Sequence, residues 1–141
     1  MKPLLAAAGT ATTPARIIIV GSVAGFMVPH VGEHETIMYA VSKAAAHHLS
    51  RNLAVELGPQ HITANTVAPG FFPSKLANGL IDILGGPEEL NARNDLGRLG
   101  EPDDIAGVML FLCSQAAAYV NGAVVPVDGG EHLTAGMKTK L

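Results

Sequence analysis

The sequence predicts an α/β fold in which a partial doubly wound parallel sheet of about three strands is flanked by helices. Short, continuously apolar runs rich in β-branched residues are typical of strands buried on both faces of a parallel sheet. Longer segments with apolar residues at helical spacing separate these runs. Strands that alternate with helices are the pattern of βαβ crossovers, so the strands are expected to be parallel.

The amino-terminal part of the chain contains the first two predicted strands and the longest predicted helix. Gly9 is expected to end a short helix, and the apolar run 16–21 is expected to form the first strand. A helix is predicted over 39–57 because apolar residues recur there at helical spacing and Gly58 stops it. The β-branched stretch 62–68 alternates and is predicted to be the second strand.

The carboxyl-terminal part is expected to supply a flap, one more helix and the third strand. Residues 71–99 contain several glycines, which predicts short helices and a mobile flap over a site. A helix is predicted from Pro102 to about residue 115, because proline in the first turn and acidic residues near the positive end of the dipole are typical of a helix start. The run 123–128 is predicted to be a strand, and Pro126 within it indicates an edge position or a strand end.

Composition restricts the class of protein. The 141 residues fit one domain, and 48% of them are hydrophobic against 15% charged. A net charge of −3 without a basic block argues against partners such as nucleic acid or an anionic membrane. No apolar run reaches the roughly 18 residues that span a bilayer. Cys113 is the single cysteine, so we expect a reducing compartment such as the cytoplasm, and Cys113 as a small core residue.

Tyr39 and Lys43 are the first candidate catalytic pair. Four residues apart in a helix, they would share one face, with their Cβ atoms roughly 5–6 Å apart. A free phenol has a pKa of about 10, and a unit positive charge about 4 Å away favours a phenolate by roughly 4 kcal/mol at an effective dielectric constant of about 20. That is enough, to order of magnitude, for a tyrosine to act as general acid or base near neutral pH. The same spacing also occurs on solvated helix faces, so the spacing alone leaves both interpretations open.

Other polar residues favour structural roles. The pattern His30-x-x-Glu33-His34 is similar to a zinc-protease motif, but the proline and glycine around it predict a loop, so no metal is expected. The adjacent His47-His48 are expected on the helix surface or at a contact between subunits. Asp128 precedes two glycines and is expected to form a turn. Arg98 is expected to cap a helix rather than to bind a phosphate, and His132 is expected to have no partner.

Five ordered motifs resemble those of one enzyme family. They are VGSVAG at 20–25, YAVSK at 39–43, NTVAPG at 65–70, GRLGEPDDIA at 97–106 and NGAVVPVDGG at 121–130. Together they resemble the carboxyl-terminal half of a short-chain dehydrogenase/reductase of the β-ketoacyl-reductase-like type, and PGFFPS at 69–74 is similar to rhamnolipid-type reductases. The resemblance implies that residues 1–141 are the carboxyl-terminal part of a single Rossmann-like reductase domain.

The resemblance implies an NAD(P)-dependent reduction of a small-molecule carbonyl, such as that of a 3-oxoacyl group, to an alcohol. Tyr39 would exchange a proton with the carbonyl oxygen, and Ser22 would hydrogen-bond the same oxygen. Lys43 would hold the nicotinamide ribose and favour the phenolate of Tyr39. Ser22 follows the carboxyl end of a predicted strand, where open α/β sheets bind ligands.

The same resemblance implies NADP or NAD as the cofactor. Its binding residues would be Tyr39, Lys43, Pro69, Gly70, Phe72 and Ser74. The G-x-G-x-x-G turn that seats the pyrophosphate does not occur in the sequence, and the chain would begin at the helix before the serine strand. Two hypotheses follow: a reductase, or a catalytically silent dimerisation or interaction module. In either case the helix 39–57 would pack against a second copy in a homo-oligomer.

Overall fold

The predicted strands form one parallel sheet in the computed structural model, which describes residues 2–28, 36–75 and 77–134. The strands are β1 (Ala15–Val20), β2 (Ile62–Pro69) and β3 (Val124–Val127), in the spatial order β1-β2-β3. Both pairings are parallel, with Val20 opposite Val67 at the end of one and Pro69 opposite Val127 at the end of the other. The predicted α/β class and the three parallel strands are therefore confirmed.

Helices precede, separate and follow these strands. In the described part of the chain they are α1 (Lys2–Ala8), α2 (Ile37–Leu57), α3 (Asn78–Ile83), α4 (Gly86–Arg93), α5 (Pro102–Cys113) and α6 (Glu131–Thr134). The Gly9 N–H donates to the Leu5 carbonyl at 3.0 Å, as expected of a glycine that ends α1. α2 begins two residues before the predicted start at Tyr39. The short helices expected within 71–99 are present as α3 and α4.

β2 is the central strand, and its position explains its burial. Residues 62–68 are all buried, because β1 and β3 flank the strand while α2 and α5 contact it. Val67 of β2, Leu112 of α5 and Ala117 form a fully buried cluster. Leu112 is the buried residue of α5, so this contact anchors the helix to the sheet.

Two asparagines connect the loop before β3 to the rest of the sheet. Asn65 on β2 is buried; its side chain donates to the Val120 carbonyl and accepts from the Ala123 N–H, each at 2.9 Å. Asn121 accepts from the Ala64 N–H at 2.9 Å and donates to a carbonyl of α2 at 3.0 Å. The side chains thus supply partners for backbone groups that the short strand β3 does not pair.

Replacing Asn65 with alanine is expected to lower the free energy of unfolding by roughly 2 kcal/mol or more, because each buried backbone group that loses its partner costs about 1–3 kcal/mol. Urea denaturation measures the change. The matched control is Asn52→Ala, since the Asn52 amide is exposed and donates only within its own helix; we expect that variant to stay within about 0.5 kcal/mol of wild type. Equal losses in the two variants would contradict the structural role of Asn65.

The two outer strands each have one neighbour among the described residues. β3 lies at one edge, so Pro126 occupies the edge position that was predicted for it. β1 lies at the other edge, and its last residue, Val20, is 54% exposed. The prediction that Cys113 is a core residue is wrong, because its side chain is exposed. It follows the buried Leu112 and lies about 100° further round the helix.

Two absences can be stated for the described residues. No helix among them is long and apolar enough to cross a membrane. They also contain no group of three or more His, Cys, Asp or Glu side chains placed to hold a metal ion. The histidine pattern 30–34 falls within 29–35, outside the described residues.

Candidate active site

The three strands end at one edge of the sheet, and the predicted site residues follow those ends. Ser22 lies just after β1, Gly70 just after β2 and Asp128 just after β3. The Gly70 N–H donates to the Val127 carbonyl at 2.9 Å, which extends the pairing of β2 and β3 by one residue. This edge is where open parallel sheets bind ligands.

α2 brings Tyr39 and Lys43 to the carboxyl end of β1. The Lys43 ammonium lies 5.4 Å from the centroid of the Tyr39 ring and donates a hydrogen bond to the Val20 carbonyl, 3.3 Å away. An ammonium has three N–H donors, so this bond leaves donors for a ligand. Tyr39 is 46% exposed, so a ligand has access to its phenol. The predicted pair is therefore assembled at the strand end that leads to Ser22.

Ser22 is buried and has a local partner. Its hydroxyl oxygen accepts a hydrogen bond from the Ala24 N–H at 3.2 Å and caps a short 3₁₀ turn at Val23–Gly25. A serine hydroxyl that accepts one bond still has its own O–H to donate. Among the described residues no hydrogen bond joins Ser22 to Tyr39. The turn therefore fixes the backbone around Ser22 and leaves its proton available to another oxygen.

His47 belongs to the same region, although it was predicted on the helix surface. Only 3% of it is exposed, and its ring packs at a tilt of 47° against Phe26, with 4.7 Å between the ring centroids. A Cβ on Gly21 would lie 2.6 Å from His47 Nε2, and one on Gly25 would lie 2.5 Å from Cε1. The ring thus fills the space that two glycines leave around Ser22. The surface prediction is wrong for His47 and correct for its exposed neighbour, His48.

A cavity of about 290 Å³ lies between residues of the segment 71–99, the start of α5 and the carboxyl end of β3. Its lining residues are Phe71, Phe72, Asn94, Leu96, Arg98, Leu99, Gly100, Asp104, Pro126, Val127, Asp128, Gly129 and Gly130. Phe72 packs on Gly100, where a Cβ would collide with the phenyl ring. The Gly100 N–H donates to the Phe71 carbonyl at 3.0 Å, so this hydrogen bond joins the residues after β2 to the residues before α5.

The predicted cofactor residues that follow α2 lie in two places: Pro69 and Gly70 at the end of β2, and Phe72 and Ser74 in the segment 71–99. Pro69 ends β2, and Gly70 approaches the end of β3 so closely that a Cβ on it would lie 2.6 Å from the Asp128 Cβ. The Ser74 hydroxyl accepts the backbone N–H three residues further on at 3.1 Å. Among the described residues no hydrogen bond or ring contact joins Phe72 or Ser74 to the Tyr39–Lys43 pair.

Asp128 forms a turn, as predicted. Its carboxylate accepts from the Gly130 N–H at 3.1 Å and from the His132 N–H at 2.8 Å. It also pairs with His132 Nδ1 at 2.6 Å, so the prediction that His132 has no partner is wrong. His132 in turn stacks on Phe26 with 5.6 Å between the ring centroids. Phe26 therefore lies between His47 on α2 and His132 on α6.

Glu131 lies between these groups at the start of α6. Burial raises the pKa of its carboxyl above the ordinary 4.5, the negative charge of Asp128 raises it further, and Arg93 acts in the opposite direction. Its Oε2 would lie 3.5 Å from a Cβ on Gly70. The carboxyl ends of β2 and β3 thus carry two acidic side chains in close proximity.

Contrary to the prediction, Arg98 does not cap α5 itself but binds Asp104, which with Glu101 forms the capping box of that helix. Its guanidinium makes two hydrogen bonds to the Asp104 carboxylate, at 2.7 and 2.9 Å. Asp104 also accepts the Glu101 N–H at 2.8 Å, at the start of α5. The hydrogen bonds from Arg98, together with the one from Glu101, lower the pKa of Asp104 from 3.8 to about 2.

This pair is expected to make stability depend on pH in the acidic range. Because the pKa of Asp104 is lower in the folded chain, the stabilisation is present above pH 3.8 and is lost as the pH falls towards 2. Urea midpoints measured from about pH 5 down to about pH 2 should fall less steeply in Asp104→Asn than in wild type. Asp103→Asn is the control, since Asp103 is an exposed neighbour in the same turn. Identical slopes for wild type and Asp104→Asn would exclude the assigned role.

The chain is similar to reductases over nearly its whole length. The family model for enoyl-(acyl carrier protein) reductases matches residues 2–132. The chain is 43% identical over 133 residues to the rhamnolipids biosynthesis 3-oxoacyl-[acyl-carrier-protein] reductase of Pseudomonas aeruginosa, covering 94% of this chain and 51% of that protein. It is also 43% identical over 119 residues to the FabG 3-oxoacyl-[acyl-carrier-protein] reductase of the same organism, covering 84% and 46%. The chain thus spans about half the length of these curated relatives.

Solved structures agree with the sequence matches. The RhlG/NADP active-site complex from Pseudomonas aeruginosa superposes with a TM-score of 0.79 at 42% identity, covering 92% of this chain and 51% of that one. A gluconate 5-dehydrogenase from Burkholderia cenocepacia in complex with NADP and tartrate gives a TM-score of 0.77 at 30% identity, covering 92% and 48%. Together with the family model and the sequence relatives, these solved structures show that the chain has a Rossmann-type fold. The chain belongs to the short-chain dehydrogenase/reductase family.

Proposed function

We propose that this chain forms the carbonyl-reducing part of an NAD(P)-dependent oxidoreductase that converts a ketone, such as a 3-oxoacyl thioester, to an alcohol. The observation that carries the proposal is the Lys43 ammonium, held by the Val20 carbonyl at 3.3 Å and 5.4 Å from the Tyr39 ring centroid. The 3-oxoacyl class is proposed because the two relatives that are 43% identical are 3-oxoacyl-[acyl-carrier-protein] reductases. Residues 1–141 would be the carboxyl-terminal part of a single Rossmann-like domain.

The donor set suits the nicotinamide-ribose end of NADP or NAD. Lys43 has ammonium donors beyond the one that Val20 uses, and the half-exposed Tyr39 adds a hydroxyl, so the pair matches ribose hydroxyls. Pro69, Gly70, Phe72 and Ser74 would lie along the nicotinamide. The sequence has no G-x-G-x-x-G to receive the pyrophosphate. The residues present therefore fit one end of the cofactor, which supplies the hydride when it is bound.

The side chains of this chain would handle the proton. In the reduction the carbonyl oxygen gains negative charge and then a proton, which Tyr39 would donate from its phenol. Ser22 would donate its free O–H to the same oxygen, since its lone pair already accepts the Ala24 N–H. The Lys43 charge would stabilise the phenolate left on Tyr39. A proton from solvent would then restore the phenol for the next turnover. Removing such a donor costs typically about 10²- to 10⁴-fold in rate.

The direct test is NADPH consumption dependent on a 3-oxoacyl thioester, measured on this chain joined to the amino-terminal half of the Pseudomonas aeruginosa relative. We expect turnover in that fusion. A folded fusion that binds NADPH but reduces no ketone in a panel of 3-oxoacyl and simpler substrates would contradict the proposal.

A second candidate is a catalytically silent module that forms a dimer or contacts another protein. It is favoured by the apolar side chains exposed along α2, which are Ile37, Met38, Val41, Leu49 and Val55. A homo-oligomer through this helix would cover them. NADPH titration of the purified chain distinguishes the candidates: saturable binding supports the reductase, whereas a folded dimer without binding supports the module.

A further inference from the structure

His47 occupies the joint between the Ser22 turn and α2. Its ring lies against Gly21 before the turn and against Gly25 at the end of the turn, and it packs at a tilt against Phe26, the next residue. The methyl group of Thr66 on β2 forms a further wall, 2.8 Å from where a Cβ on Gly21 would lie. His47 is buried, and its Nε2 has no hydrogen-bond partner among the described residues. The ring therefore connects α2, which carries Tyr39 and Lys43, to the residues on both sides of Ser22.

We propose that His47 is a positioning residue, which holds the turn bearing Ser22 in register with the helix that bears Tyr39 and Lys43. The proposal rests on the function proposed above, because it gives Ser22 its place at the carbonyl oxygen. Lys43 lies one helical turn before His47, so the same stretch of α2 contacts both Val20 and the turn that follows it. A ring wedged between Gly21 and Gly25 sets the distance between that turn and the helix.

The charges around the ring favour its neutral form. Burial lowers the pKa of His47 below its ordinary 6.5, and the positive charges of Arg51 and Lys43 lower it further, while the Ser22 backbone acts in the opposite direction. β2 contributes the uncharged Thr66, and the His132–Asp128 pair lies beyond the Phe26 ring. A protonated ring would place a third positive charge between Lys43 and Arg51.

Protonation is therefore expected to loosen the joint. Because folding favours the neutral ring, the stabilisation is fully present above pH 6.5 and is lost as the pH falls below that value. The Ser22 turn, which contacts the ring through Gly21 and Gly25, should rearrange in the same range of pH. Its reporter is the Ala24 N–H, which donates to the Ser22 hydroxyl.

Nuclear magnetic resonance of the chain itself tests the proposal without requiring activity. We expect the His47 imidazole to titrate below pH 6.5 and the Ala24 amide to shift with the same midpoint. The amide shift should persist in His48→Gln, the exposed neighbour, and should disappear in His47→Gln. An Ala24 amide that does not follow the His47 titration, or that shifts unchanged in His47→Gln, would overturn the proposal. The coincidence of midpoints in wild type decides the matter even if His47→Gln does not fold.

Activity separates this proposal from the proposed function. In the active fusion, His47→Gln should lower kcat with little change in the KM for NADPH, and the acid limb of its pH profile should flatten. His47→Asn, which retains a planar polar group one atom shorter than Gln, serves as the second variant. The midpoints of His47 and Ala24 could coincide while the Tyr39→Phe variant of the fusion reduces ketones at the wild-type rate. That result would support the link between His47 and the turn and would contradict the catalytic role of the site.

Discussion

Replacing Tyr39 with phenylalanine is expected to lower the rate of ketone reduction by roughly 10²- to 10⁴-fold, which is the contribution typical of a positioned proton donor. The phenyl ring retains the contact with the Lys43 ammonium and loses only the hydroxyl. Since Tyr39 is 46% exposed, the free energy of unfolding should stay within about 0.5 kcal/mol of wild type. A loss of rate without a loss of stability is the signature of a chemical role.

The matched control for this substitution is Tyr119→Phe. Tyr119 is fully exposed and follows the turn after α5, near Ile62 at the amino end of β2. Steady-state kinetics of the fusion, with urea denaturation of each variant, compare the two. Turnover in Tyr39→Phe equal to that in Tyr119→Phe would show that the phenol of Tyr39 takes no part in the reaction.

Replacing Lys43 with methionine is expected to weaken NADPH binding by about 10- to 100-fold, because a hydrogen bond to a charged group contributes about 1.5–3 kcal/mol. Methionine keeps most of the apolar stem but removes the charge beside Tyr39, so the rate at saturating NADPH should also fall by roughly 10²-fold or more. The bond to the Val20 carbonyl is lost as well. Lys43→Arg should restore little, since a planar guanidinium does not reproduce a compact ammonium.

Isothermal titration with NADPH and turnover measurements check both effects. Lys2→Met is the control of the same residue type, because Lys2 is exposed on α1. An affinity for NADPH that is unchanged in Lys43→Met would exclude contact between this ammonium and the cofactor. Unchanged turnover at saturation would exclude its action on Tyr39.

The strands and helices were predictable because local patterns determine them. The β-branched run of β1 and the alternating run of β2 form strands within one residue of the predicted ends. Pro126 marks an edge strand because proline cannot donate to the ladder. α2 begins at Ile37, two residues before the predicted start, and the preceding Thr36 is its N-cap residue without a side-chain capping bond.

Burial on the helices was less predictable. Cys113 lies in an apolar run that suggests a core, yet Leu110 and Phe111 beside it are 71% and 44% exposed. Leu112 is the fully buried residue of α5, and Ile105, Val108 and Met109 pack partly buried against the same cluster. Which side of such a helix is covered depends on the elements that pack against it, and hydrophobicity along the sequence does not contain that information.

The part of the site that depends on local spacing could be predicted, and the part that depends on packing between elements could not. Helical spacing alone places Tyr39 beside Lys43, but the bond from Lys43 to Val20 depends on how α2 packs against β1. His47 was missed because its burial comes from the turn around Ser22. The glycines at 21 and 25 were the available signal, since small residues around a turn leave room for a large neighbour.

The most direct test of the proposed site is a crystal structure of the active fusion with NADPH and a ketone substrate. The proposed site predicts that the Tyr39 and Ser22 hydroxyls both lie about 2.6–3.2 Å from the carbonyl oxygen, with the Lys43 ammonium at the same distance from a ribose hydroxyl. A bound ketone in contact with neither hydroxyl, or a ribose remote from Lys43, would contradict it.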